Sequence, residues 1–271
     1  MYVLKEIIQK YGLNAKKSLG QNFILDGNLL DKIARLALQN TAGEPVLEIG
    51  AGPGGLTHAL LENGVKNLTV VERDDRCVAA LHELKDDFPE CLHIIGDDAL
   101  KFNEQSLGNP LCIVSNLPYN ISTVLLVKWL KNISCYSKLT LMFQKEVAER
   151  LMAGAGDDAY GRLSVLTNWL CDVVYLMTLP PSAFTPAPKV YSSLVCLTPK
   201  KNPATGFTFE TMEKLTAAAF GQRRKMLRSS LKSVGNPEEL CATAGIEATL
   251  RAEDVPVEAY CKMAAFLEKK E

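Results

Sequence analysis

From residue 45 onward, short aliphatic and β-branched runs alternate with longer stretches whose apolar positions recur at helical spacing. Residues 45–50, 67–72, 92–97, 111–116 and 138–144 read as strands, with helical stretches around 58–62, 76–85 and 122–131 between them. Strands that are apolar almost throughout are buried on both faces, so this alternation predicts a parallel sheet with helices on each side. Two later β runs, 172–179 and 192–198, are separated only by the proline-rich loop 180–188. That loop is too short for a helical crossover and favours an antiparallel pair at one sheet edge. The expectation is an α/β fold with a sheet of about seven strands, mostly parallel, the last one reversed.

The pattern changes after Pro199-Lys200-Lys201-Asn202-Pro203, where 211–231 and 238–267 become helix-rich around a break at Gly235-Asn236-Pro237. A domain boundary is therefore expected near residue 200, dividing 1–200, with a helical N-terminal extension, from a helical 201–271.

Composition narrows the function classes. A chain of 271 residues, 47% hydrophobic, can bury one large core and a small second one. Its formal net charge of −1 means that any attraction for nucleic acid must come from local clusters. Eight cysteines without a C-x-x-C pair and three dispersed histidines give neither zinc-ligand spacing nor a His-based triad. The cysteines read as reduced, mostly buried thiols of a cytoplasmic protein. The N-terminus shows no basic region followed by an apolar core, and the longest uncharged segment, 105–127, is interrupted by Asn116, Pro118 and Asn120. Neither a signal peptide nor a membrane span is expected.

Candidate chemistry gathers at the strand ends. Glu48-Ile49-Gly50-Ala51-Gly52-Pro53-Gly54-Gly55 follows a strand and precedes a helix, where glycine lets the backbone approach a ligand closely. The run reads both as the dinucleotide fingerprint G-x-G-x-x-G and as the E-x-G-x-G-x-G of S-adenosylmethionine enzymes, so NAD and S-adenosylmethionine both remain open. Glu72, 22 residues beyond Gly50 at the end of the second strand, suits both ribose hydroxyls of either ligand. The third strand ends in Asp97-Asp98, placing a carboxylate where an adenine amine can donate.

The fourth strand delivers Asn116-Leu117-Pro118-Tyr119 to the carboxyl edge of the sheet. The Asn116 side-chain oxygen and the Leu117 carbonyl can each accept one N–H of an exocyclic amine. Pro118 stiffens the turn, and Tyr119 offers a face for a flipped base. A dehydrogenase has no evident need for this group; a transferase acting on an amino nitrogen does. Finally, 221–232 holds five basic residues and no acid, and at helical spacing Arg224 and Arg228 share a face, an arrangement suited to phosphates.

Taken in order, 19–23, Glu48–Gly54, Glu72, Asp98-Ala99, Asn116–Tyr119, 184–190 and 220–225 resemble the motifs of the ribosomal RNA adenine N6,N6-dimethyltransferase family, most closely its bacterial small-subunit branch. The resemblance implies a Rossmann-like S-adenosylmethionine-dependent methyltransferase domain followed by a helical RNA-binding domain. It implies dimethylation of N6 on two adjacent adenines in the 3'-terminal hairpin loop of small-subunit (16S) rRNA, without a metal. By the same carry-over, Asn22, Ile24, Gly50, Gly52, Glu72, Asp98 and Asn116 contact the cofactor. Asn116, Leu117, Pro118 and Tyr119 form the catalytic group, and Phe184 stacks on the target base opposite Tyr119. Lys16, Lys17, Arg223, Arg224, Lys225 and Arg228 contact RNA. The implied substrate is a pre-assembled 30S particle and the implied state a cytoplasmic monomer with a role in subunit maturation. The alternatives are the branch that modifies large-subunit RNA, a non-catalytic assembly factor, and a nicotinamide dehydrogenase.

Overall fold

The computed structural model describes residues 3–13, 21–41, 43–222 and 224–270. In chain order its elements are α1 (Leu4–Lys10), β1 (Phe23–Ile24), α2 (Gly27–Leu38), β2 (Val46–Ile49), α3 (Gly55–Glu62), β3 (Leu68–Glu72), α4 (Asp75–Asp87), β4 (Leu92–Gly96), β5 (Leu111–Ser115) and α5 (Tyr119–Lys131). They continue with β6 (Tyr136–Gln144), α6 (Lys145–Met152), α7 (Arg162–Leu170), β7 (Cys171–Leu179), β8 (Phe184–Thr185), β9 (Ser192–Pro199), α8 (Phe209–Phe220), α9 (Leu227–Ser230), α10 (Pro237–Ala244) and α11 (Val257–Glu268).

Seven strands form one sheet in the order β4-β3-β2-β5-β6-β9-β7. The pairs β2–β3, β3–β4, β2–β5 and β5–β6 are parallel, whereas β9 runs antiparallel to β6. This is the α/β sheet with a late reversal that the hydrophobic pattern predicts. β2, β3 and β5 are buried along their whole length, which explains their unbroken apolar runs. From β2 the chain moves outward to β3 and β4, then returns to the other side of β2 as β5. The carboxyl ends of β2 and β5 therefore border the point where strand order reverses, the place where open α/β sheets bind ligands. Helix starts are fixed locally: Asp26 caps α2 by accepting from Asn28 and Leu29 N–H, and Asp74 caps α4 by accepting from Arg76 N–H. The short β1 pairs antiparallel with β8, Ile24 opposite Phe184.

The residues form two compact units, one of Met1–Lys145 with Tyr175–Thr198, the other of Glu146–Val174 with Pro199–Glu271. The second unit thus takes in residues 146–174, which the reading of the chain placed in the first domain. Helical periodicity shows that a stretch has an apolar face, but not which core that face enters. Within the second unit Tyr260 is fully buried, its ring stacked 5.8 Å from that of Phe220, and its hydroxyl donates to the Ala252 carbonyl at 2.9 Å.

Basic residues of this unit need one correction. α8 ends at Phe220 and α9 begins only at Leu227, so Arg224 and Arg228 do not share a continuous helix face. Met226 bridges Arg251, and Leu227 N–H bonds the Leu250 carbonyl at 2.8 Å. These contacts extend the chain and bury Leu227 and Leu231. Arg224, Lys225 and Arg228 are all exposed. Arg223, Lys16 and Lys17 lie outside the described residues.

Candidate active site

At the end of β2 the chain turns through Gly50, Gly52 and Gly54 at φ of +70°, +56° and +83° before entering α3. A Cβ on Gly50 would lie 3.3 Å from Pro118 Cδ, and one on Gly52 would lie 3.0 Å from Phe23 Cε1. Both left-handed backbone and close approach therefore demand glycine at these positions. Glu72, at the end of β3, grips the same turn. Its Oε2 accepts from Gly52 N–H, and its Oε1 accepts from Arg73 and Asp74 N–H, each at 2.8 Å. Three of about four acceptor positions on the carboxylate are filled, leaving room for about one further hydroxyl rather than two. Burial pushes the Glu72 carboxyl above its usual range against the pull of those three N–H groups.

Glu48, buried in β2, entered the sequence reading only as part of the glycine pattern, although an acid inside an apolar strand was its signal. It accepts from Thr57 Oγ1–H at 2.7 Å, and burial pushes its carboxyl up to about 8.

On the other side of the switch point, Ser115 Oγ donates to the Ile49 carbonyl at 2.5 Å and ties the ends of β5 and β2 together. Asn116 Nδ2 donates to the Asn22 carbonyl at 3.1 Å. The turn then closes with Ile121 N–H on the Pro118 carbonyl at 3.1 Å and opens into α5. Tyr119, the first residue of α5, shares a 2.5 Å hydrogen bond with the buried Ser192 Oγ at the start of β9. Sequence reading missed Ser192; its only signal was its position just beyond the 184–190 motif.

These elements border one cleft that is open to solvent. Asn22, Ile24, Gly50, Gly52, Glu72, Asp98, Asn116, Leu117, Pro118 and Tyr119 all line it, so the fold brings together ten of the residues singled out in the sequence. Asp97 lines it too. Asp98 is the more constrained of that pair, with Oδ1 accepting from Leu100 N–H at 3.0 Å and Oδ2 lying 3.6 Å from Arg73 Nη1.

Phe184 is the exception. It is 3% exposed, belongs to the apolar core with Ile24 and Leu30, and is not among the lining residues. Pairing with Ile24 draws Phe184 inward, so its expected place opposite Tyr119 is not the one it occupies here.

The charged lining bears on the two ligand readings left open by the glycines. Glu72, Asp97 and Asp98 line the cleft, and Arg73 is the one basic residue among the described lining. A dinucleotide diphosphate meets repulsion there, whereas a cationic sulfonium fits. Among the described residues no group of His, Cys, Asp or Glu is arranged to hold a metal ion.

Sheet order, glycine turn, acid at the end of β3 and polar turn after β5 together define the class of methyltransferases that use S-adenosylmethionine. Solved structures of that class share the fold. The dimethyladenosine transferase of Plasmodium falciparum is 26% identical with a TM-score of 0.75, covering 90% of this chain and 97% of that one. The 23S rRNA methyltransferase ErmE, 24% identical, matches in fold with a TM-score of 0.70, covering 91% and 99%. The chain belongs to the ribosomal RNA adenine dimethylase family, whose model matches residues 12–269. It is 50% identical over 268 residues to the ribosomal RNA small subunit methyltransferase A of Paramagnetospirillum magneticum, covering 98% of this chain and 95% of that protein. The protein of the same name from Rhodospirillum rubrum is 49% identical over 262 residues, covering 96% and 91%.

Proposed function

We propose that this chain dimethylates N6 of two adjacent adenines in the 3'-terminal hairpin loop of small-subunit (16S) rRNA. The observation that carries the reading is the bond from Asn116 Nδ2 to the Asn22 carbonyl. With its amide nitrogen committed, Asn116 has Oδ1 for an incoming amine, one residue from the Leu117 carbonyl.

An adenine N6 is a weak nucleophile because its lone pair is delocalised into the ring. Accepting its two N–H groups at Asn116 Oδ1 and Leu117 O favours a pyramidal nitrogen and aims the lone pair. S-adenosylmethionine, when bound, supplies a methyl group activated by its sulfonium. Asn22, Ile24 and Gly50 would hold its methionine side, Glu72 one ribose hydroxyl and Asp98 the adenine. As the N–C bond forms the amine becomes acidic enough to release its proton to solvent, so no strong base is required. Tyr119 would stack on the target base, with its ring set by Ser192, at about 1–3 kcal/mol for such a contact.

Arg224 and Lys225, exposed just before α9, and Arg228, exposed within it, would contact phosphates, together with Lys16, Lys17 and Arg223. The family resemblance makes a pre-assembled 30S particle, rather than naked RNA, the proposed substrate. The same reading makes the protein a cytoplasmic monomer acting in subunit maturation; among the described residues no helix is long and apolar enough to cross a membrane.

The experiment is labelled methyl transfer to subunits from a strain lacking the modification. Dimethyladenosine in the small-subunit RNA is the expected product. Label confined to large-subunit RNA, or none in either, overturns the proposal.

A further inference from the structure

We propose that Lys128 is a positioning residue that holds the loop after β4 in the shape that receives the adenine end of the cofactor. The proposal deepens the cofactor assignment above and rests on it. Residues 97–100 line the cleft just beyond β4. The loop folds tightly, with the Asp98 carbonyl accepting from Lys101 and Phe102 N–H at 2.8 and 2.9 Å. Two other carbonyls in it are held from outside. Lys128 Nζ, near the end of α5, donates to the Ala99 carbonyl at 2.9 Å and to the Phe102 carbonyl at 2.5 Å. Its third donation goes to Glu104 Oε1 at 2.9 Å, and that oxygen also accepts from Trp129 Nε1–H at 2.8 Å.

An ammonium has three donors, and all three are engaged. A lysine in a last helical turn ordinarily reaches for water or for its own helix end. Here the side chain is only 28% exposed and Glu104 only 5%, so the ion pair is largely withdrawn from solvent. Glu104 neutralises the lysine where it clamps the loop. Because Ala99 lies between Asp98 and Leu100, both facing the cleft, its carbonyl fixes the peptide planes that shape the adenine subsite. Tyr119 opens the same helix, so one rigid element carries the stacking face at one end and the clamp on the cofactor loop at the other.

The test measures binding of S-adenosylmethionine, and separately of adenosine, to the full chain by calorimetry. Lys128→Met is expected to weaken both by the same factor, about tenfold. Turnover at saturating cofactor should stay within about threefold of wild type, since only uniform binding is lost. Removing the lysine strands Glu104, so a second variant, Lys128→Met with Glu104→Gln, discharges the acid while keeping an acceptor for Trp129. That variant should recover the wild-type melting temperature yet bind both ligands as weakly as the single one.

Wild-type affinity in Lys128→Met, recovery of affinity in the double variant, or failure of the double variant to fold would each overturn the proposal. The last would show that the network serves the fold rather than the loop. A wild-type protein that binds no S-adenosylmethionine would instead refute the cofactor assignment, and the clamp with it.

Discussion

On the cofactor side of the cleft the polar groups are already committed to one another: three backbone N–H groups hold Glu72, and the glycine turn packs on Pro118 and Phe23. On the side of the target base the contacts are single. One hydrogen bond orients Asn116, one orients Tyr119, and Phe184 lies beneath the surface. A ligand that is the same at every turnover is best met by a rigid cradle. A base delivered by a large RNA is better met by groups that can adjust at the cost of one or two bonds.

The largest effect should come from the side with single contacts. Asn116→Ala is expected to lower turnover by about 10²-fold or more, as losing one preorganised polar group does, with a smaller loss of calorimetric cofactor affinity, about tenfold or less, from the lost bond to Asn22. Equal loss of both would mean that the two sides are not separable. Gly52→Ala should weaken S-adenosylmethionine binding by roughly tenfold, from the left-handed backbone and the crowding of Phe23. Equilibrium dialysis checks this, and wild-type affinity would show that the cradle is softer than its bonds suggest.

Phe184→Leu distinguishes core from platform. A core role leaves kcat/KM for subunits within about threefold, because an apolar swap of similar volume is tolerated. A stacking role costs about tenfold or more. The burial seen here favours the smaller loss.

A last effect is one of pH, read in stability rather than in turnover. Burial raises the Glu48 carboxyl from 4.5 to about 8, so the folded protein keeps a proton that the unfolded chain has released. Its contribution to stability is full below about 4.5 and is lost as pH rises to about 8. Glu48→Gln should therefore flatten the decline in urea midpoint between about pH 5 and pH 8. Glu72, also raised, leaves part of the slope in place. An unaltered slope in Glu48→Gln would show that Glu48 is ionised in the folded state.

What could be read from the chain follows the range of the forces involved. β2, β3 and β5 are apolar because both faces are covered, and strand ends, glycines and the Asn116 turn are local features; the strands and ten lining residues were accordingly visible. The fate of Phe184 depends on Ile24, distant in sequence and met only through the two-residue strands β1 and β8, which are too short to carry a period. The break between α8 and α9 was hidden for a similar reason. Leu250 and Arg251 draw 226–227 into extended pairing, and a run of basic residues does not record that partner. Ser192 acts through one bond across the fold and Lys128 through three, and neither has a motif of its own.

The most direct measurement is a crystal structure of the protein with a sulfonium-bearing cofactor analogue and a small-subunit RNA hairpin. The adenine N6 should lie about 2.7–3.2 Å from both Asn116 Oδ1 and the Leu117 carbonyl, with Tyr119 against the base. A target amine bonded elsewhere, with Asn116 Oδ1 facing away from the base, would contradict the arrangement proposed for the transfer.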